Sequence, residues 1–250
     1  MISVKNISKS FNDVKILDDI SFDFHQGKTN LIIGKSGSGK SVLTKCMVGL
    51  LEPDNGDVFY QETKLSSLKI KKKKEIRKQL GMLFQGSALF DSLSVEDNVA
   101  FPLKMFTSLS TNDIKERVNF CLNRVDIVNK NQLFPSELSG GMQKRVAIAR
   151  AISMQPKYLF CDEPNSGLDP VTAIVIDELI REITKEYNIT TVVITHDMNS
   201  VLEIGDNILF IDSGKNKWQG SKDEILDSDV KELNDFIYVS KFLKQLKKNR

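Results

Sequence analysis

The sequence predicts an α/β fold with an N-terminal antiparallel β subdomain and an inserted helical subdomain. Three observations support this class. An apolar run at 31–33 leads into a glycine-rich turn and then a helix-compatible stretch at 42–48. Apolar strands are also expected at 80–84, 157–162 and 190–195, with helical patterns between them, as in a largely parallel sheet. Residues 2–25 alternate short apolar runs with turn residues, which is typical of antiparallel strands.

The composition bounds the class of protein. At 250 residues the chain can bury a sizeable core, and its formal net charge of +2 does not indicate a nucleic-acid binder, so none is expected. No basic segment followed by an apolar one opens the sequence, and no apolar run is long enough for a membrane span, so we expect a cytoplasmic protein. The three cysteines have no metal-ligand spacing and fit reduced thiols.

The expected organisation is one main domain over residues 1–225, with the helical subdomain inserted at about 86–150. Within it, Pro102 and its neighbours predict a break, and Ser110-x-x-Asp113 predicts a helix start. One helical face then follows, formed by Ile114, Val118, Cys121, Leu122 and Val125. Residues 221–250 are expected to be helical, and 226–250 form a basic C-terminal extension that is either a docking helix or a solvated end.

The densest charge in the chain is the lysine-rich run at 69–78. Such a run is usually the solvated face of a helix. Attraction to anionic lipid headgroups or to nucleic acid is the functional alternative, since each lysine near a bilayer contributes about 1 kcal/mol. The sequence leaves both interpretations open.

The glycine-rich turn at 34–41 has the pattern GxxxxGK[ST] between a strand and a helix. Glycines let backbone N–H groups curl around phosphates, and the helix N-terminus adds partial positive charge. Lys40 is expected to reach the β- and γ-phosphates, and the Ser41 hydroxyl to bind Mg²⁺. The predicted phosphate cradle is completed by Gly34, Lys35, Ser36, Gly37, Ser38 and Gly39.

A second group of polar residues follows the other strands. Asp162 and Glu163 end an apolar strand, where open α/β sheets place ligands, so Asp162 is expected to hold Mg²⁺ and Glu163 to polarise the attacking water. Gln85 and His196 also follow strands, and His196 is placed to contact a γ-phosphate. Phe11, at the first turn, is either an adenine-stacking ring or an ordinary core residue of an edge strand.

A second glycine-marked helix start occurs at 138–142, Leu-Ser-Gly-Gly-Met. With the preceding motifs it makes the chain resemble the ATP-binding subunits of ABC transporters over nearly its whole length, which implies a P-loop NTPase (RecA-like) core. The matches are the Walker A loop (34–41), the Q-loop glutamine (Gln85), the signature (138–142, with Met142 in place of the usual glutamine), the Walker B pair (Asp162 and Glu163), the D-loop (166–169) and the switch histidine (His196).

The resemblance implies an ATP hydrolase that uses Mg²⁺, with Ser41, Gln85 and Asp162 near the metal. Lys40, Gln85, Glu163 and His196 would act in catalysis. Two chains would pair head to tail, so that the signature closes over the ATP of the partner chain. The residues so assigned to nucleotide binding, besides the Walker A loop, are Phe11, Ser139, Gly140, Gly141 and Asp169. An integral-membrane permease would hold the protein at the cytoplasmic face of the inner membrane.

A finer resemblance concerns cargo. Segments 81–85, 88–93 and 98–103 are similar to those of the Mla-type, Mce-associated ATPases, although Gly86-Ser87 reverses the usual order and Asp97 replaces a glutamate. This implies phospholipid transport with an Mce-domain partner. The alternatives are an ABC transporter for another solute, and a non-transport ABC ATPase that acts on nucleic acid or in metallocluster assembly. A non-catalytic scaffold is disfavoured because the expected site residues are present.

Overall fold

The computed structural model describes residues 1–238, in two compact units that comprise residues 1–68 with the segment from 194 onward, and residues 69–193. Its helices and strands, in chain order, are β1 (Ile2–Phe11), β2 (Val14–Phe24), β3 (Thr29–Ile33), α1 (Lys40–Met47), β4 (Asn55–Tyr60), β5 (Thr63–Lys64), α2 (Ile70–Arg77), β6 (Leu80–Leu83), α3 (Val95–Phe106), α4 (Thr111–Arg124), α5 (Gly140–Ile152), β7 (Tyr158–Asp162), α6 (Pro170–Glu186), β8 (Thr190–Thr195), α7 (Met198–Ile204), β9 (Asn207–Asp212), β10 (Lys215–Gly220) and α8 (Lys231–Ile237).

An antiparallel sheet in the first unit has the strand order β2-β1-β4-β5. Ile2 pairs with Phe24 across β1 and β2 and with Tyr60 across β1 and β4, and all three side chains are buried. Apolar residues alternate with exposed ones along both long strands, as expected when one face of a sheet is buried. The predicted antiparallel β part is therefore confirmed.

The same unit contains strands that position the glycine-rich turn. β3 is buried along its whole length and pairs in parallel with β9, with Ile32 opposite Leu209. β10 continues this group as the antiparallel neighbour of β9. A fully buried parallel strand that runs into a glycine-rich turn and α1 is the arrangement predicted from the sequence. The predicted α/β class is confirmed.

The second unit also contains parallel strands. β6 pairs in parallel with β7, and Leu83 lies opposite Cys161. β8 lies on the other side of β7. Both β7 and β8 are almost entirely buried, as expected for strands covered on both faces. Because β6 and β7 are parallel, the residues that follow them, Gln85 and Glu163, emerge at the same edge.

Three helices of the second unit, α3, α4 and α5, occupy the segment that was expected to form a helical subdomain. Each is preceded by a serine whose hydroxyl accepts a hydrogen bond from the first helical turn: Ser94, Ser110 and Ser139. The predicted face of α4 is buried at Val118, Cys121, Leu122 and Val125, whereas Ile114 is half-buried. The predicted helix start at Ser110 is confirmed as a full capping box with Asp113.

The predicted break at Pro102 is wrong, since α3 continues through it to Phe106. Proline removes one backbone donor, but Val99 and Leu103 are buried on the same helical face, and this packing outweighs the lost hydrogen bond. The segment from 86 to 150 is also less helical than expected. Residues 86–94 are loop and turn, and between α4 and α5 the chain makes only the 3₁₀ turn Pro135–Glu137.

The remaining expectations concern surface segments. The lysine-rich run forms α2, which has no buried residue, as the solvated-face interpretation predicts. Residues 221–230 are not the expected helix and contain the 3₁₀ turn Ile225–Asp227, before the short α8. The basic end of the C-terminal extension, 239–250, lies outside the described residues. Within residues 1–238, none of the helices combines the length and apolar character needed to cross a membrane.

Candidate functional site

The glycine-rich turn between β3 and α1 requires glycine at two positions. Gly34 has φ 149°, and a Cβ there would lie 2.2 Å from the Ile211 carbonyl oxygen. Gly39 has φ 110°, and a Cβ there would lie 2.7 Å from Leu17 Cδ2. These two glycines let the loop pass directly against β2 and β9, which explains why the local sequence folds into this turn.

Polar groups of the loop are arranged around α1. Lys40 is buried, and its Nζ donates to the carbonyl oxygens of Gly34 (2.7 Å) and Lys35 (2.9 Å). Ser41 is exposed one residue later. The Ser38 hydroxyl is buried and has no hydrogen-bond partner within residues 1–238, and Gly39, at the N-cap of α1, supplies no capping side chain. Backbone N–H groups, a hydroxyl and an ammonium group together suit an anionic ligand.

Two more predicted site residues lie in the first unit. His196 is exposed and directly follows β8, and the next residue, Asp197, caps α7 by accepting from the Asn199 N–H (2.9 Å). Phe11 ends β1 and is exposed, with its ring 5.6 Å from Lys9 Nζ. The core-residue interpretation of Phe11 is therefore wrong, and the adenine-stacking interpretation remains a prediction for this exposed ring.

In the second unit, the polar residues after β6 and β7 are connected by hydrogen bonds. Gln85 Nε2 donates to Ser166 Oγ (3.2 Å), and the Ser166 N–H donates to the Glu163 carbonyl oxygen (3.1 Å). Asp162 is the last residue of β7, and Glu163 follows it with φ 47°, in the left-handed region. A non-glycine residue with this backbone is uncommon and often marks a functional position.

Helix α5 starts beside the segment that contains the D-loop. Ser139 is exposed and caps the helix by accepting from the Met142 N–H (3.3 Å). A Cβ at Gly141 would lie 2.7 Å from Thr172 Cγ2, so glycine permits the close approach of α5 and α6. A cleft of about 480 Å³ opens here. The signature and D-loop residues that line it are Ser139, Gly140, Gly141, Met142, Gly167, Leu168 and Asp169.

Asp169, which lines this cleft, caps the N-terminus of α6. Its carboxylate accepts from the Thr172 hydroxyl (2.5 Å) and from the N–H groups of Val171 (3.1 Å) and Thr172 (3.0 Å), so it caps α6. These hydrogen bonds, chiefly that of the Thr172 hydroxyl, hold the pKa of Asp169 below its ordinary value. The carboxylate thereby fixes the start of α6 beside the signature.

The sequence did not single out Lys144, a cation on α5 that is only 4 % exposed. Its Nζ donates to the Gln85 carbonyl oxygen. Burial lowers the pKa of Lys144, while the negative charge of the neighbouring carboxylates Asp162 and Glu163 acts in the opposite direction. In the sequence Lys144 stands between Gln143 and Arg145, just before the apolar positions 146–149, and only the fold shows that its side chain is buried.

No group of three or more metal-binding His, Cys, Asp or Glu side chains occurs within residues 1–238. The predicted metal ligands are of three different kinds: a hydroxyl (Ser41), an amide (Gln85) and a carboxylate (Asp162). All three offer oxygen atoms, which suit Mg²⁺. A Mg²⁺ ion shared with substrate phosphates needs only one or two protein carboxylates, so this donor set is compatible with it.

Comparison with known proteins agrees with this geometry. The family model described as "ABC transporter" matches residues 17–166. The methionine import ATP-binding protein MetN of Clostridium tetani is 43% identical over 215 residues, 86% of this chain and 67% of that protein. The probable ribonucleotide transport ATP-binding protein mkl of Mycobacterium leprae is 36% identical over 236 residues, 94% of this chain and 68% of that protein.

Solved structures give the same result. The ATP-binding cassette MJ0796, in a dimeric post-hydrolysis state bound to ADP and Pi, has a TM-score of 0.79 and 29% identity, over 89% of this chain and 99% of that chain. The cbiO1 protein of Clostridium perfringens, part of the transporter complex cbiONQ, has a TM-score of 0.85 and 29% identity over 98% of both chains. This chain therefore belongs to the ABC transporter family, as an ATPase that energises a transporter.

Proposed function

We propose that the protein hydrolyses ATP to drive the import of a small solute, with methionine as the first candidate. The observation that carries this proposal is the 43% identity to the methionine import ATPase of Clostridium tetani over 86% of the chain. The Mycobacterium leprae relative is named for ribonucleotide transport. These relatives support the alternative of another solute better than phospholipid cargo, and they lend no support to an Mce-domain partner.

The proposed roles of the residues follow from their chemistry. Lys40 and the backbone N–H groups of the loop bind the phosphates, because an ammonium group and aligned amides attract anionic oxygens. Ser41, Gln85 and Asp162 supply oxygen atoms to Mg²⁺, which neutralises charge on the phosphates. Glu163 accepts a proton from the attacking water, and His196 contacts the γ-phosphate.

The proposed assembly has two copies of the chain and a permease. Ser139, Gly140 and Gly141 lie exposed or half-buried at the start of α5, where N–H groups and partial positive charge can meet an anion. In a head-to-tail dimer they close on the nucleotide bound by the partner. The permease supplies the membrane span and keeps the ATPase at the cytoplasmic face of the inner membrane.

Reconstitution tests the cargo. The native complex is placed in proteoliposomes with its solute-binding protein, and ATP hydrolysis and uptake are measured with methionine, with a ribonucleotide, and with labelled phospholipid in the bilayer. We expect methionine to stimulate hydrolysis and to accumulate inside, and a Glu163→Gln complex to do neither. Stimulation by the ribonucleotide alone, or ATP-dependent movement of phospholipid without methionine uptake, would contradict the methionine proposal and leave the ATPase assignment standing.

A further inference from the structure

Two cations on α5 reach the backbone that follows Gln85. The Lys144 ammonium group donates to the carbonyl oxygen of Gln85. The Arg150 guanidinium donates from Nη1 to the carbonyl oxygen of Ala88 (2.7 Å) and from Nη2 to that of Ser87 (2.8 Å). Three of the four carbonyl groups in residues 85–88, here named the Q-loop turn, are therefore bound by side chains of one helix.

The Q-loop turn has a backbone that needs such support. Ser87 and Ala88 both have positive φ, 61° and 49°, which is unfavourable for residues with a Cβ. The hydrogen bonds within the turn are those from the Ser87 N–H to the Phe84 carbonyl (2.9 Å) and from the Ala88 N–H to the Gly86 carbonyl (2.7 Å). Strained conformations of this kind persist only when surrounding groups fix them.

Burying the Lys144 ammonium group costs free energy, so its contact with the Gln85 carbonyl is not an incidental surface contact. The side chain is 4 % exposed, and a cation removed from water requires compensating polar partners. Here the Gln85 carbonyl is such a partner, and the carboxylates of Asp162 and Glu163 add favourable charge. Lys144 thus connects α5 to the Q-loop turn and to the acidic residues at the end of β7.

The hydrogen bonds continue from the Q-loop turn to Glu163. The Gln85 side chain donates to Ser166 Oγ (3.2 Å), and the Ser166 N–H donates to the Glu163 carbonyl oxygen (3.1 Å). Because the backbone of Gln85 is bound by Lys144, displacement of that backbone would move both contacts. All of these residues belong to the second unit.

We propose that Lys144 and Arg150 are positioning residues that clamp the Q-loop turn to α5, so that Gln85 and Glu163 keep the geometry needed for ATP hydrolysis. The clamp makes the turn an extension of the signature helix, and the two move as one body. This proposal rests on the proposed roles of Gln85 and Glu163, and it adds two residues that act through them.

The test uses the full chain with Lys144→Met, Arg150→Met and the conservative variant Lys144→Arg. Arg117→Met is the matched control, because the Arg117 guanidinium also donates to backbone carbonyl groups, those of Ile152 (2.8 Å) at the end of α5 and of the next residue Ser153 (2.9 Å), away from the Q-loop turn. Hydrogen exchange of the peptide containing residues 84–90 reports on the clamp. Steady-state ATP hydrolysis reports on its consequence.

For Lys144→Met and Arg150→Met we expect amide exchange in residues 85–88 to become at least about tenfold faster, because the turn opens more often. We expect kcat to fall by about tenfold to a hundredfold, as for other misplaced catalytic groups, with KM for ATP changed less than about twofold. Lys144→Arg should restore most of kcat, and Arg117→Met should leave both measurements at the parent values.

Parent-like exchange and kcat in both methionine variants would overturn the clamp, as would an equal effect of Arg117→Met. If Lys144→Met does not fold, Lys144→Gln retains an N–H donor, and parent-like exchange with loss of kcat in that variant would also contradict the proposal. A parallel Glu163→Gln assay separates the two hypotheses. Normal turnover there would remove the catalytic role of Glu163, while the exchange measurements would still decide whether the clamp exists.

Discussion

Lys40 Nζ lies 2.7 Å from the carbonyl oxygen of Gly34 and 2.9 Å from that of Lys35, so the ammonium group is held against the start of the glycine-rich loop. The side chain is 7 % exposed. Two backbone carbonyl groups thus orient a cation that has little contact with water. In the proposed phosphate-binding role of Lys40, this pre-organisation reduces the entropy lost on binding.

Lys40→Ala is expected to weaken ATP binding by roughly tenfold to a few hundredfold, because a hydrogen bond to a charged group contributes about 1.5–3 kcal/mol. Titration of the purified chain with a fluorescent ATP analogue measures this change. Lys45→Ala is the control, since Lys45 is an exposed lysine on the same helix. Equal affinity of the Lys40→Ala variant and the parent would contradict the phosphate-loop assignment.

Gly39→Ala is expected to lower the free energy of unfolding by about 1–3 kcal/mol, since alanine at φ 110° is strained and its Cβ would lie 2.7 Å from Leu17 Cδ2. Urea denaturation followed by circular dichroism measures the change. Gly86→Ala is the matched control, because among residues 1–238 no atom apart from its chain neighbours lies within 4 Å of a Cβ at Gly86. A loss of the same size in both variants would show that the loop geometry is not the cause.

Ser110→Ala is expected to destabilise the protein by about 1 kcal/mol, the usual effect of removing an N-cap side chain. Ser110 Oγ accepts from the Asp113 N–H (3.2 Å), and Asp113 Oδ2 accepts from the Ser110 N–H (3.3 Å). Asn112→Ala, at an exposed position of the same turn, should leave the unfolding midpoint unchanged. Identical midpoints for Ser110→Ala and the parent would mean that the capping box has no net effect.

The sequence predicted the phosphate loop and the capping box because both depend on local chemistry. Glycine at fixed spacing allows the turn at 34–39, and a serine three residues before an aspartate specifies the start of α4. The residue types that identify both features are close together in the sequence, although Gly34 and Gly39 are also needed because the loop packs against β9 and β2. The same applies to β3, whose apolar run is long enough for a buried strand and too short for a helix.

The features that were missed depend on tertiary structure. Pro102 is a helix breaker in local terms, yet the buried face formed by Val99 and Leu103 carries α3 through it. In the sequence Lys144 is an ordinary charged residue. Only the fold, which places it on α5 near the end of β7, shows that it is a buried cation. The backbone of Glu163 is left-handed, but because the residue is not glycine, the sequence does not indicate this conformation.

Glu163→Gln is expected to bind ATP like the parent and to lose nearly all hydrolysis, because a neutral amide does not accept the proton of the attacking water. Nucleotide titration and phosphate release measure the two properties separately. Glu116→Gln, an exposed residue of α4, is the control for loss of one negative charge. Turnover at the parent rate in the Glu163→Gln variant would remove its proposed role as the base.

ATP is expected to drive dimerisation of the Glu163→Gln variant. In the proposed head-to-tail pair, the ATP held by one chain also contacts Ser139 and Gly141 of the other, so the nucleotide is part of the interface. A ligand that binds the dimer more tightly than the monomer shifts the equilibrium toward the dimer, and blocked hydrolysis keeps that ligand in place. The related cassette MJ0796 is dimeric in its solved structures, which supports this expectation.

Light scattering after size exclusion measures this shift, from the 28.2 kDa of one chain to twice that mass with saturating ATP and Mg²⁺. ADP should leave the variant monomeric, because it lacks the γ-phosphate on which the partner's signature closes. Lys40→Ala combined with Glu163→Gln should also stay monomeric at ATP concentrations that saturate Glu163→Gln alone. A monomer under saturating ATP and Mg²⁺ would count against the nucleotide-bridged dimer, whereas an equal amount of dimer with ADP would show that the γ-phosphate is not what joins the two chains.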